Sequence, residues 1–276
     1  MNAADVPFPA LADGPDDGEL VVLLHGFPQT KEAWRAVASR LAAAGYRAVA
    51  FDQRGYVPAV DPGPARSLRL AALADDVHAV ADAVGRVRYH VVGHDWGGAV
   101  AWWLAAHAPE RVLTATVVAT PHPRALARSM VGVQGLRSLY AAAFQVPALP
   151  EIALRAANGA LLRVLLERSG LDRGHAQAYT KAMLTDDVLH HALGWYRANR
   201  VTSLTSVGPS RVPTLYVWPS RDVALGRRAA EGTAQHVEAP YRFVVLEDAP
   251  HWVPERRPEE LARLIVGQLR SAPDPS

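Results

Sequence analysis

Gly93-His94-Asp95-Trp96-Gly97-Gly98 places one carboxylate between glycines. A strand-like run, Tyr89 to Val92, leads into it, and a helix-like run, Ala99 to His107, leads out. Small glycines permit the sharp strand-to-helix turn of a nucleophile elbow, where the central side chain is pushed out of the turn. That seat usually holds a serine; here it is Asp95. A carboxylate there suits displacement at a saturated carbon better than acyl transfer. The start of a helix favours its ionised form. The plainer reading is that Asp95 only caps the helix, since Asp is a preferred N-cap.

Three further groups make the chemistry specific. His25-Gly26-Phe27-Pro28 follows the apolar run Leu20–Leu24. A turn at that place can aim the Phe27 N–H beside the Trp96 N–H as an oxyanion hole. Pro250-His251-Trp252 follows the run Phe243–Leu246, and His251 alone of the histidines outside the elbow and the His-Gly turn stands at such a strand end. Asp222, in Trp218-Pro219-Ser220-Arg221-Asp222, ends the Thr214–Trp218 run and can orient a histidine. Glu247 and Asp248 are its rivals, but they lie at the end of the histidine's own strand. Asp95 would then form an ester with its substrate, and water deprotonated by His251 would hydrolyse that ester.

The elements needed to hold these residues are legible. Apolar runs at Leu20–Leu24, Ala48–Phe51, Tyr89–Val92, Thr114–Ala119, Thr214–Trp218 and Phe243–Leu246 read as strands. Helical patterns at Glu32–Ala44, Leu70–Val84, Ala99–Ala106 and Glu259–Leu269 alternate with them. Continuous apolar strands between helices predict an α/β fold with a mostly parallel sheet covered on both faces. Val6–Leu11 can add a short strand before a turn at Asp13–Gly18, and the Pro/Ser/Asp-rich tail Ser271–Ser276 is expected to fray. Between Arg124 and Gly208 the alternation gives way to an Ala/Leu/Arg-rich helical stretch. The expected division is a core of residues 1–123 and 209–276 with a helical cap, 124–208, inserted over one end of the sheet.

Composition bounds the rest. The chain has 276 residues, 50% hydrophobic and 20% charged, with a formal net charge of +2, an ordinary globular balance. Lys31 and Lys181 are the only lysines among 29 basic residues, and no basic cluster is interleaved with aromatics, so no nucleic-acid partner is expected. Cysteine is absent, which excludes thiol catalysis and thiolate metal sites. Met1–Asp5 shows no basic region followed by an apolar run, and no apolar stretch approaches the roughly 18 residues of a membrane span. The expectation is a cytoplasmic protein with no membrane partner, monomeric or homodimeric.

The joint set HGFP at 25–28, GHDWGG at 93–98, the Trp218–Asp222 strand end and PHW at 250–252 resembles the soluble type of epoxide hydrolase, of the α/β-hydrolase fold. The resemblance runs from His25 to the helix Leu261–Leu269. It implies a cis peptide at Phe27–Pro28 and conversion of an epoxide to a vicinal diol, with water and a small epoxide as reactants and no cofactor or metal. It also implies two cap tyrosines that protonate the opening ring: Tyr140, by its spacing to Phe144-Gln145-Val146-Pro147, and Tyr196, in Gly194-Trp195-Tyr196-Arg197. Phenols stay protonated at neutral pH. Haloalkane dehalogenases share the aspartate and the following tryptophan but need no proton donor, and often carry a second tryptophan for the halide. Fluoroacetate dehalogenases share an HGFPQT-like string but place arginines where Trp96, Gly97 and Gly98 stand. A ligand-binding protein of the same fold is the remaining alternative. Two departures stand out. Gly55-Tyr56-Val57-Pro58-Ala59 replaces G-Y-G-x-S in a loop expected to lie remote from the chemistry. Gly194 replaces the usual asparagine and is expected to loosen the helix of Tyr196.

Overall fold

The computed structural model describes residues 6–130, 134–135, 139–200 and 205–272. Met1–Asp5 and the last four residues of the tail, both singled out in the sequence, lie outside the described residues. Seven strands form one sheet: β1 (Ala10–Asp13), β2 (Leu20–Leu24), β3 (Arg47–Phe51), β4 (Tyr89–His94), β5 (Val112–Val118), β6 (Thr214–Pro219) and β7 (Tyr241–Leu246). Their spatial order is β1-β3-β2-β4-β5-β6-β7. Every pairing is parallel except β1 with β3, which is antiparallel. β1 begins four residues later than the Val6–Leu11 run suggests, because Ala10 to Asp13 pair with Phe51 to Ala48.

The central strands are apolar on both sides because both sides are covered. All five residues of β2 are buried, as are all six of β4. Each large apolar side chain hidden in this way contributes about 1.5–3 kcal/mol relative to an exposed one. Helices α1 (Arg35–Ala43), α2 (Leu70–Ala83), α3 (Trp96–His107) and α11 (Pro258–Leu269) supply the cover. α3 starts at Trp96, three residues earlier than its apolar run, directly after the elbow aspartate.

Between β5 and β6 the described residues form α4 (Pro123–Ser129), α5 (Leu139–Ala143), α6 (Leu149–Arg168), α7 (Arg173–Leu184) and α8 (Val188–Ala198), and no strand. α9 (Arg227–Gly232) and α10 (Val253–Arg256) flank β7. α8 is tied to the core. Asn199 donates from Nδ2 to the Leu68 carbonyl (2.7 Å) and accepts the Leu70 N–H at Oδ1 (3.0 Å), one of the orphan donors at the start of α2. The helix that carries Gly194 continues unbroken to Ala198. The glycine is where α8 presses on Leu68: a Cβ there would stand 2.6 Å from Leu68 Cδ1.

In a parallel sheet the C-terminal strand ends share one rim, and ligands gather there. β2 ends at His25, β4 at Asp95, β6 before Asp222 and β7 before His251. Chain order therefore converts four distant segments into one cluster. No helix among the described residues is long and apolar enough to cross a membrane.

Candidate active site

Asp95 occupies a backbone conformation that side chains other than glycine rarely adopt, φ 52° and ψ −120°. Such strain costs on the order of 1–3 kcal/mol and persists where the surroundings enforce it. Here the surroundings are tight: a Cβ on Gly97 would lie 2.2 Å from the Leu24 carbonyl oxygen. Thr120 fixes the turn from the next strand end, its hydroxyl donating to the Asp95 carbonyl (2.6 Å). The Asp95 side chain makes no cap bond to its helix. Its Oδ1 instead accepts the Phe27 N–H at 2.9 Å. The Trp96 N–H, the second expected donor, lies near enough to favour the carboxylate charge. Burial raises the Asp95 pKa above the usual carboxylate range, while the His251 charge and the Phe27 and Trp96 N–H groups oppose that rise.

The donor turn is held from beneath. His25 is fully buried; its Nε2 accepts the Gln53 N–H (3.1 Å), and the Gln53 side chain donates to the His25 carbonyl (2.6 Å). Gln29 closes the turn by accepting the Gly26 N–H (2.8 Å). The Phe27–Pro28 peptide is cis, as the resemblance implies.

His251 lies 6% exposed in the loop after β7. Its Nδ1 is 2.8 Å from Asp222 Oδ2, and its Nε2 is 3.8 Å from Asp95 Oδ2. Asp222 is buried and fixed by two backbone N–H groups, from Ala224 (2.8 Å) and Leu225 (2.9 Å), at its other oxygen. Burial disfavours the His251 cation, but the Asp222 charge and hydrogen bond, then the Asp95 charge, prevail and raise its pKa to about 9. Asp248, the rival carboxylate, pairs instead with Arg221 at 2.7 Å on the surface.

Above Asp95 a cavity of about 510 Å³ is lined by Trp96, Leu126, Met130, Tyr140, Tyr196 and Leu225 among others. Tyr196 is buried, its ring edge-on to Trp96 (5.0 Å) and Phe27 (5.6 Å). Tyr140 lies 6.3 Å from it, ring centroid to centroid. Tyr140 is 39% exposed as a whole residue. Desolvation, followed by the charge of Asp95 for Tyr140 and by Tyr140 and then Asp95 for Tyr196, raises both phenol pKa values, so both hydroxyls keep their protons at neutral pH. Among the described residues no three His, Asp or Glu side chains converge as metal ligands.

Sequence reasoning missed the residues that hold the two tyrosines. Successive residues of α8 point about 100° apart. Trp195 turns to the core and donates its indole N–H to the Arg54 carbonyl (2.9 Å). Tyr196 faces the cavity. Arg197 turns outward to Glu151 (2.7 and 3.0 Å), the Phe144 carbonyl (3.0 Å) and the Val146 carbonyl (3.1 Å). Gln145 completes the clamp by donating to the Tyr196 carbonyl (2.7 Å). No spacing rule announces these partners, because they join segments about fifty residues apart. The Gly55–Ala59 loop is also closer to the site than expected. Tyr56 is buried edge-on against His25 (4.6 Å) and Trp195 (5.5 Å), and its pKa is raised by burial and then by the Asp95 charge.

A family model described as alpha/beta hydrolase fold matches residues 19–258. The chain belongs to that family. It is 34% identical over 279 residues to the AB hydrolase superfamily protein YfhM of Bacillus subtilis, covering 98% of this chain and 97% of that protein. It is 30% identical over 271 residues to Epoxide hydrolase 4 of Homo sapiens, covering 94% of this chain and 74% of that protein. A solved structure described as novel epoxide hydrolases of the alpha/beta hydrolases superfamily in metagenomes from hot environments superposes with a TM-score of 0.82. It has 26% identity and covers 94% of this chain and 93% of that chain. The resemblance read from the motifs agrees with these relatives.

Proposed function

We propose that this hydrolase-fold enzyme converts an epoxide to a vicinal diol through a covalent ester on Asp95. The observation that carries the reading is the placement of Tyr140 and Tyr196 together in the cavity that contains Asp95. The relatives named epoxide hydrolases support it. Helices α4 to α8 act as the cap that shapes this cavity, over a core built from the chain on either side.

In the first half-reaction Asp95 Oδ2 attacks one ring carbon, the carbon–oxygen bond of the ring breaks, and the new alkoxide takes a tyrosine proton. Oδ1 stays on the Phe27 N–H. In the second, His251 takes a proton from water and the hydroxide adds to Asp95 Cγ. The oxyanion then develops on Oδ1, with the Phe27 N–H already in place and the Trp96 N–H as the second donor. Collapse releases the diol and restores the carboxylate, and the proton on His251 resets the tyrosinate. Asp222 holds the imidazole with its Nδ1–H directed away from the water.

A halide leaving group is the second reading, and the tryptophans weigh against it. Trp96 is the one tryptophan among the residues lining the cavity. The indole N–H groups of Trp102, Trp195, Trp218 and Trp252 are all spent elsewhere, on Thr120, Arg54, Leu225 and Ser169 respectively.

The test is intact-protein mass spectrometry of His251→Gln mixed with a panel of epoxides and haloalkanes, because the ester should accumulate without its base. A gain equal to a whole epoxide supports the reading. A gain equal to a haloalkane less hydrogen halide replaces it with dehalogenation. Absence of any adduct from a folded protein argues for ligand binding without turnover.

A further inference from the structure

The buried histidines can be assigned protons from the partners of their two ring nitrogens, because a backbone N–H only donates and a backbone carbonyl only accepts. In His25, Nδ1 faces the Gly26 carbonyl (3.0 Å) and Nε2 receives the Gln53 N–H (3.1 Å), which makes one proton. In His122, Nε2 faces the Gly208 carbonyl (3.0 Å) and Nδ1 receives the Arg124 N–H (3.2 Å), again one proton.

His94 is different. Its Nε2 faces the His251 carbonyl at 2.9 Å, and its Nδ1 faces Gln29 Oε1 at 2.8 Å. The Gln29 amide cannot be reversed to supply a donor. Its Oε1 also receives the Gly26 N–H (2.8 Å), and its Nε2 donates to Glu255 Oε1 (2.7 Å). Both ring nitrogens of His94 therefore point at acceptors. Glu255 is the matching opposite. Its Oε1 accepts from Gln29 (2.7 Å) and from the Tyr179 hydroxyl (2.7 Å), and its Oε2 is buried with no hydrogen-bond partner.

We propose that His94 is held as an imidazolium, with Glu255 as its buried counter-carboxylate through Gln29, and that the pair is a positioning device for His251. Burial by itself pulls the other way, lowering the His94 pKa and raising that of Glu255. Moving one proton from Glu255 to His94 turns a contact between two lone pairs into a charge-assisted hydrogen bond and sets opposite charges at the two ends of one amide. The neutral alternative leaves that contact repulsive inside a buried network, where unmet polar groups are costly.

The device bears on the base through space and through a bond. The His94 and His251 rings stand 4.7 Å apart, centroid to centroid, so the cation opposes protonation of His251 and offsets the pull of Asp222 and Asp95. The hydrogen bond from Nε2 fixes the His251 backbone. The other charged or titratable groups acting on the pair are His25 on His94 and His175 on Glu255. The functional part of this proposal rests on the reading of His251 as the water-activating base; the proton assignment does not.

The experiment is nitrogen-15 NMR of the full chain labelled at histidine, with His94 assigned through its backbone connectivities, at neutral pH. Two protonated ring nitrogens on His94 are expected, and an unprotonated nitrogen at either Nδ1 or Nε2 overturns the proposal. In Glu255→Gln, which keeps shape and removes charge, His94 should lose one proton. The acid limb of ester hydrolysis should then move up by as much as about one pH unit, because loss of the adjacent His94 cation outweighs loss of the more distant Glu255 charge, which by itself raises the His251 pKa. An unchanged His94 and an unchanged limb in a folded variant would remove Glu255 from the device, whereas a purely structural role would lower stability and move neither. If no epoxide is turned over at all, the NMR result still decides the proton assignment.

Discussion

A Cβ placed on Gly26 would stand 2.3 Å from Asp95 Cβ and 2.5 Å from its Oδ1. The His25–Pro28 turn and the Asp95 side chain thus come within contact distance only because residue 26 has no side chain. Gly26→Ala should push Asp95 off the Phe27 N–H and slow hydrolysis of the ester by at least about a hundredfold, the scale of losing one such donor. Single-turnover mass spectrometry of adduct decay measures this directly. Normal decay in a folded variant would show that the donor turn is not used.

The tyrosine pair gives a prediction with an internal control. Tyr140→Phe or Tyr196→Phe alone should slow ring opening by roughly tenfold to a hundredfold, less than the full worth of a general acid because the other tyrosine remains, and the double variant should nearly stop it. Single-turnover alkylation by an epoxide reads the effect. Equal alkylation by wild type and double variant would point to a leaving group that needs no proton.

In the proposed mechanism, protonation of His251 links the two half-reactions. In the resting site its pKa is raised to about 9, burial being outweighed by Asp222 and then Asp95. Esterification of Asp95 would remove its charge, so the pKa would fall as soon as the base is needed. Below its pKa the ring already holds a proton and cannot take one from water. Hydrolysis of the ester should therefore rise with pH through an apparent pKa lower than about 9 and level off above it. Pre-steady-state ester decay across pH tests this, and a rate that rises as pH falls would refute the role.

Arg197 carries no chemistry but holds the segment between Tyr140 and Tyr196 through Glu151 and two carbonyls. Arg197→Ala should cost about 2 kcal/mol of stability, since it leaves a mostly buried carboxylate with the His190 ring as its remaining side-chain partner. It should also depress ring opening more than ester hydrolysis, because only the first step uses the tyrosines. Thermal unfolding together with the two single-turnover rates would show whether the losses fall that way.

Much of this site is legible without a structure because its signals are local. Strand, glycine, aspartate and helix are contiguous, and an apolar run ending in His-Gly, in Ser-Arg-Asp or in Pro-His marks a strand end by composition alone. A parallel sheet then brings those ends to one rim, so residues 25, 95, 222 and 251 could be grouped from their order. The chain by itself determined the fold, the family, and which side chains could serve as nucleophile, orienter and base. Tertiary structure decided what sequence periodicity does not encode. It turned the Asp95 carboxyl away from its own helix and onto the Phe27 N–H. It pressed Gly194 against Leu68 and brought the Tyr56 loop beside the site. It also joined His94 to Glu255 through Gln29. These are contacts between segments far apart in the chain, chosen by packing volume and by the need of each buried polar group for a partner. Neither quantity is visible until the surroundings are complete.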